Sequence, residues 1–273
     1  MRDDLRLYLR YIGVSLRAQM EYRTSFVLVM GGALLNTVME FLAILALFQR
    51  FGSLRGWRLP EVALLWGMIQ VSSSVADAFG RGFDQFANQV RTGDFDRLLL
   101  RPRSTALQVV GHELTLFRVG RLLPGLVVLG WALARLEIAW TPERVLLVPA
   151  AVAGGAALFL GLLVVQATLS FWTIEGLEIM NAVTYGGVET AQYPLTIYRD
   201  WFRGFFTWMI PLACANFLPA HALLGRPAPS LPPFSGAAPD LMLWLSPVAG
   251  FLFLGLALQA WKLGVRHYCS TGS

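Results

Sequence analysis

The chain has almost no lysine. Its 273 residues carry 22 basic side chains, and the only lysine among them is Lys262, which is followed by Leu263. A phosphate cradle of the form G-x-x-x-x-G-K-[ST] needs a lysine ahead of Ser or Thr, so this chain cannot build one. Any ATP hydrolysis linked to it must occur in another polypeptide. Cysteine is equally scarce. Cys214 lies in an apolar stretch and Cys269 near the end, which gives neither a disulfide framework nor a metal spacing. The three histidines, His112, His221 and His267, are far apart, and His112-Glu113 does not complete H-E-x-x-H because residue 116 is Leu. No G-x-S-x-G elbow occurs. These gaps leave no catalytic residue and no metal ligand to name.

Charge is also sparse, at 14% of residues against 56% hydrophobic. With a mean hydropathy of +0.56, the chain has more apolar surface than a water-soluble domain of this length can bury, and it belongs in a bilayer. The net charge of +5 comes from basic residues in short loops beside apolar runs. That distribution signals membrane topology and argues against a nucleic-acid partner.

The expected architecture is all-α, one membrane domain over 1–273, with six membrane-spanning helices at 25–48, 61–79, 114–136, 145–171, 172–193 and 241–261. Residues 1–23 read as an amphipathic helix. Leu5, Leu9, Ile12 and Leu16 form its apolar stripe beside Arg2, Arg6, Arg10 and Arg17, which suits the headgroup layer or, alternatively, a partner's surface. Small residues from Ala150 to Gly161 predict close helix packing in the fourth span. In 201–225, Pro211, Asn216, Pro219 and His221 interrupt an apolar stretch, which predicts a broken pair of helices that enters and returns before the last span. Basic residues at both termini place both on the cytoplasmic side, and same-side termini require an even number of crossings.

Two groups of residues stand out as functional candidates. The first is the polar segment 80–113. Between Gly80 and Arg103 it holds five arginines and three aspartates, the size of segment on which a soluble partner could push. The second is the set of carboxylates inside spans, Glu40, Asp77, Glu175 and Glu178. Burying a carboxylate in hydrocarbon costs at least a few kcal/mol, so Glu40, on one stripe with Asn36, should face protein or water.

The segments GDFDRLLLRPRS (Gly93 to Ser104), YPLTIYRDWFRGFF with IPLACANFLPAHALLG (Tyr193 to Gly225), and WKLGVRHYCSTGS (Trp261 to Ser273) resemble the permease subunits of type-2 ABC exporters. The likeness is to the branch related to daunorubicin-resistance and viologen exporters, and it covers essentially the whole chain. It implies a multidrug-type exporter permease in the bacterial inner membrane, paired with a second permease, identical or paralogous and often a heterodimer. It also implies two separate ATPase subunits that bind the ATP and Mg, with no cofactor in this chain itself. It implies a coupling helix after the second span, here around Phe83 to Leu100, which would tilt the second and third spans when the ATPase dimer closes. The residues expected to serve this coupling are Phe83, Gly93, Asp94, Phe95, Asp96, Arg97, Arg101 and Pro102. Asp94, Asp96, Arg97 and Arg101 are expected to touch the ATPase, because charged pairs fix register at such interfaces. The rival reading from residues alone is an ion-gradient carrier using Glu40, Asp77, Glu175 and Glu178. A membrane scaffold without transport activity is the third.

Overall fold

A computed structural model describes residues 23–101, 104–112, 119–173, 177–232 and 236–268. The expected amphipathic helix at 1–23 therefore lies almost wholly outside the described residues, as do Pro102 and Glu175. Among the described residues the regular elements are all helices. In order the chain forms α1 (Arg23–Phe51), α2 (Leu59–Asp84), α3 (Phe86–Arg91), α4 (Asp94–Leu99), α5 (Thr105–His112), α6 (Val119–Arg135), α7 (Pro142–Leu169), α8 (Leu177–Ala191), α9 (Asp200–Gly204), α10 (Phe217–Leu224) and α11 (Asp240–His267), with short 3-10 and π turns between α8 and α10.

Among the described residues four helical stretches are long and apolar enough to cross a bilayer: Thr24–Phe51, Leu59–Arg91, Pro142–Leu169 and Asp240–His267. A fifth crossing results if the bent pair Asp200–Met209 and Leu212–Leu224 is counted as one span. Among the described residues α6 and α8 run for 17 and 15 residues, fewer than the roughly 20 of a straight crossing, and each begins where the described residues resume. Pro124 inside α6 also removes one rung of its hydrogen-bond ladder.

Local chemistry fixes the helix ends. The Glu61 carboxylate accepts the Arg58 backbone N–H at 2.7 Å and closes the start of α2, where Pro60 stands in the first turn. The Thr141 hydroxyl accepts from the Arg144 N–H at 3.4 Å at the start of α7, with Pro142 at its first position. The break in the bent pair falls at Pro211, between a π turn and a 3-10 turn, and the two halves meet at 75°.

Helices α2 and α7 form the centre, with α6 against α2, α1 against α6 and α11 against α7. At the α7–α11 crossing the two backbones approach closely. A Cβ on Gly250 would overlap the Gly154 carbonyl oxygen, and one on Gly154 would overlap the Pro247 carbonyl oxygen. The small residues of α7 thus serve backbone-to-backbone packing, the role such residues play where lipid is as apolar as the partner helix. The apolar core has three parts. One surrounds Trp57, Trp66 and Phe217 at the Leu59 end of α2, one surrounds Leu158 and Phe206, and one surrounds Phe83, Phe95 and Trp261 at the far end.

The polar segment departs from the single helix expected over 83–100. Helix α2 runs on to Asp84, and α3 and α4 follow as separate six-residue pieces. The second break comes at Thr92-Gly93, where Gly93 adopts φ 75°, a left-handed conformation that a side chain would strain.

Candidate functional site

At the α3–α5 end, the turn at Gly93 starts α4 with Asp94 and Asp96 in its first turn, where negative charge suits a helix N-terminus. The Thr92 hydroxyl donates to the Asp94 carboxylate at 2.7 Å. Phe95 and Leu98, three residues apart, turn inward and are buried. Phe95 meets Phe86 edge to face at 4.9 Å between ring centroids and lies 5.0 Å from Tyr268. Trp261 of α11 stands 4.7 Å from Phe86, 5.2 Å from Phe83 and 5.2 Å from Phe171. Its indole N–H donates to the Thr105 hydroxyl at 3.1 Å, and the Gln108 amide donates to the Leu98 carbonyl at 3.3 Å. The result is an aromatic clamp that holds α3, α4 and α5 on the ends of α7 and α11.

The outer surface of the clamp carries the charge. Asp94, Arg97 and Arg101 are exposed at helical spacing with Leu100 beside them, and Leu100 is 85% exposed. Arg97 and Asp94 lie 3.8 Å apart, with Arg97 83% exposed, so solvent screens the pair and it adds little stability. Asp96 is half-buried beside Tyr268. Burial and then the Asp96 carboxylate push the Tyr268 hydroxyl up to about 12. The residues expected from sequence therefore divide into two sets. Phe83 and Phe95 are buried clamp members, with Gly93 as the turn, whereas Asp94, Arg97 and Arg101 form an exposed ridge and Asp96 faces the clamp. Trp261, Phe171 and Tyr268 complete the clamp without having been singled out. Only the resemblance of the segment from Trp261 to Ser273 hinted at Trp261 and Tyr268, and nothing in the sequence pointed to Phe171.

A second constellation runs along α2. Gln70, Ser73, Asp77, Arg81 and Asp84 recur every three to four residues and share one face. The Gln70 amide donates to Glu40 of α1 at 2.8 Å, and Asn36 donates to the other Glu40 oxygen at 2.7 Å. Arg121 of α6 lies 3.6 Å from Asp77, both side chains mostly buried. Ser73, Asp77 and Arg121 border a small space with Thr184 and Tyr185 of α8, walled also by Phe159, Leu163 and Val188. Nearer the clamp, the Gln166 amide of α7 donates to Asn181 at 2.9 Å and to Asp84 at 3.5 Å. Glu189 of α8 lies within electrostatic reach of Glu40 and Arg121. The structure thus puts Glu40 and Asp77 on one polar face. Glu178 belongs to α8, and Glu175 lies outside the described residues. Gln70 and Arg121 join this face without having been candidates, although the seven-residue interval from Gln70 to Asp77 to Asp84 is visible in the sequence.

At the opposite end, Arg226 places one guanidinium nitrogen 2.8 Å from both Glu61 oxygens and stacks 4.2 Å over Trp57. The Asn216 amide donates to the carbonyls of Leu65 at 3.2 Å and Ala191 at 2.6 Å. These contacts tie the broken pair to α2 and α8. Among the described residues no three His, Cys, Asp or Glu side chains converge as metal ligands would.

A family model described as ABC-2 family transporter protein matches residues 34–272. No curated protein and no solved structure matches the chain.

Proposed function

This chain belongs to the ABC-2 transporter family, a multi-pass membrane permease component of an ABC transporter, and from that premise we propose that it is the permease of an ATP-driven exporter worked through the aromatic clamp. The observation that carries the reading is the pairing of an exposed ridge, Asp94, Arg97, Leu100 and Arg101, with a buried clamp of Phe86, Phe95 and Trp261 behind it. A soluble ATPase docked on the ridge would push on a packed element, and packed elements transmit displacement because they compress little. The push would reach the end of α7, just before Phe171, and α11, which carries Trp261, and through the Gln166–Asp84 bond the end of α2. That route shifts the driven elements from the second and third spans expected from sequence to the fourth and sixth.

The polar face of α2 with Glu40, Asp77, Arg121 and Glu189 would line the cargo path against a second permease, paralogous or identical. Asn36 and Glu189 are exposed and Glu40 is half-buried. At bilayer depth such groups require protein or water in front of them, which supports a partner permease or a hydrated path there. In this reading α6 and α8 supply the two further crossings, the bent pair re-enters, both termini are cytoplasmic, the membrane is the bacterial inner membrane, and ATP and Mg reside in the ATPase. Kinship with the daunorubicin and viologen branch belongs to the same proposal. The test is the double reversal Arg97→Asp with Arg101→Asp. Co-purification of an ATPase with the tagged chain should fall at least tenfold while the variant's thermal unfolding stays unchanged. Undiminished ATPase recovery would contradict the reading.

A further inference from the structure

A cavity of about 560 Å³ opens between α1, α2 and α6, and nothing in the transport reading uses it. We infer that it is a binding site for one acyl chain of a bilayer phospholipid, held near its ester group by Trp66. The inference rests on the chain crossing a bilayer and not on which cargo it exports.

The lining sets the chemistry. Leu42 and Phe41 of α1, and Pro124, Val127 and Trp131 of α6, face the space together with Trp66 of α2, and no charged side chain borders it. Such a lining does not hold water, which needs two to four polar partners. Its volume lies within the range of sites that take one elongated apolar ligand. The gap also lies beside the least buried of the four long apolar helices. Only 11% of the apolar window of α1 is buried, against 83% for the stretch containing α2. Hydrocarbon drawn in from the bilayer would supply the contacts that α1 otherwise lacks.

One atom in this lining asks for more than hydrocarbon. Trp66 is fully buried, yet its indole N–H has no acceptor among the described residues. A buried donor left unpaired is unfavourable, so an occupant with an acceptor is favoured. Trp66 stands five residues past Glu61, roughly 7 Å along the helix. Glu61 marks the polar boundary by its pairing with Arg226. Helical side chains also lean toward the N-terminus of their helix, which carries the indole back toward that boundary. The ester carbonyl of a phospholipid lies at the corresponding depth, where headgroup gives way to hydrocarbon.

The experiment places the full-length chain in nanodiscs doped with a phosphatidylcholine whose acyl chain carries a photoactivatable diazirine. Labelled peptides are then mapped after irradiation. Labelling within 34–45 and 123–131 should exceed, at least fivefold, that around Leu252 and Leu256, which are exposed on α11. The double variant Leu42→Phe with Val127→Phe, which fills the cavity, should bring the first two regions down to the α11 level while the α11 labelling stays constant and reports intact folding. Trp66→Phe should lower cavity labelling roughly threefold, the weight of one hydrogen bond, and an ether-linked analogue should do the same on the wild-type chain. Labelling equal to that of α11, or labelling that survives the filled cavity, would overturn the site. Labelling unchanged in Trp66→Phe would overturn the ester contact.

Discussion

Trp261 meets Phe83, Phe86 and Phe171 at once and is 1% exposed. Trp261→Ala should therefore cost about 3–5 kcal/mol through lost burial and the cavity left behind, read as a lower unfolding temperature in detergent. Trp261→Phe, which keeps most of the ring contacts and loses the bond to Thr105, should cost only about 1 kcal/mol. Tyr268 gives a pH signature at the same spot. Its folded value of about 12 lies above the ordinary 10, so the folded chain holds the proton where the unfolded chain has released it. The stabilisation is complete below pH 10 and falls as the pH rises from 10 toward 12. Melting temperatures of wild type and Tyr268→Phe should converge across that window, and a constant difference would contradict the contact. The charges of this region were legible in the sequence as a run between apolar stretches. The clamp was not, because a tryptophan some 160 positions after the loop is indistinguishable, in one sequence, from an interface anchor at the end of a span.

At the scale of the element, the α7–α11 crossing depends on two glycines that leave no room for a methyl group. Gly250→Ala should destabilise by about 1–3 kcal/mol through overpacking against the Gly154 backbone. Gly255→Ala on the same helix meets open space and should be neutral or slightly stabilising, since alanine favours helix by up to about 1 kcal/mol. Thermal unfolding of the two variants side by side checks the contrast, and equal losses would contradict it. The length and hydropathy of α1, α7 and α11 could be read directly, and so could the break at Pro211, because proline removes a backbone donor. The ends of α2 could not. Its polar stripe from Gln70 to Asp84 looks like the close of a span, whereas in the fold those residues bond to Glu40, Arg121 and Gln166 on three other helices. The break at Thr92-Gly93 was readable only as a permitted turn, since glycine allows the left-handed conformation without requiring it.

Taken as a whole molecule, the chain presents a ridge at one end, a clasp of Arg226, Glu61 and Trp57 at the other, and a polar face between them. Two accounts of its energy source predict different behaviour. A gradient-driven carrier would rely on Glu40 and Asp77 and respond to an uncoupler. A permease driven from the ridge would respond to nucleotide bound by another subunit. Asp77 already faces Arg121 at 3.6 Å, so its charge is compensated within the fold, which favours the second account. The most direct test follows a single cysteine at Tyr185, which borders the small space beside Asp77 and Arg121 and is 37% exposed, in a background with Cys214 and Cys269 replaced by serine. In right-side-out vesicles holding the assembled transporter, a membrane-impermeant maleimide should label that cysteine several-fold faster once ATP and vanadate are trapped inside. The acceleration should vanish in the Arg97→Asp, Arg101→Asp variant. Labelling that ignores nucleotide, or that accelerates equally with the ridge reversed, would contradict the account.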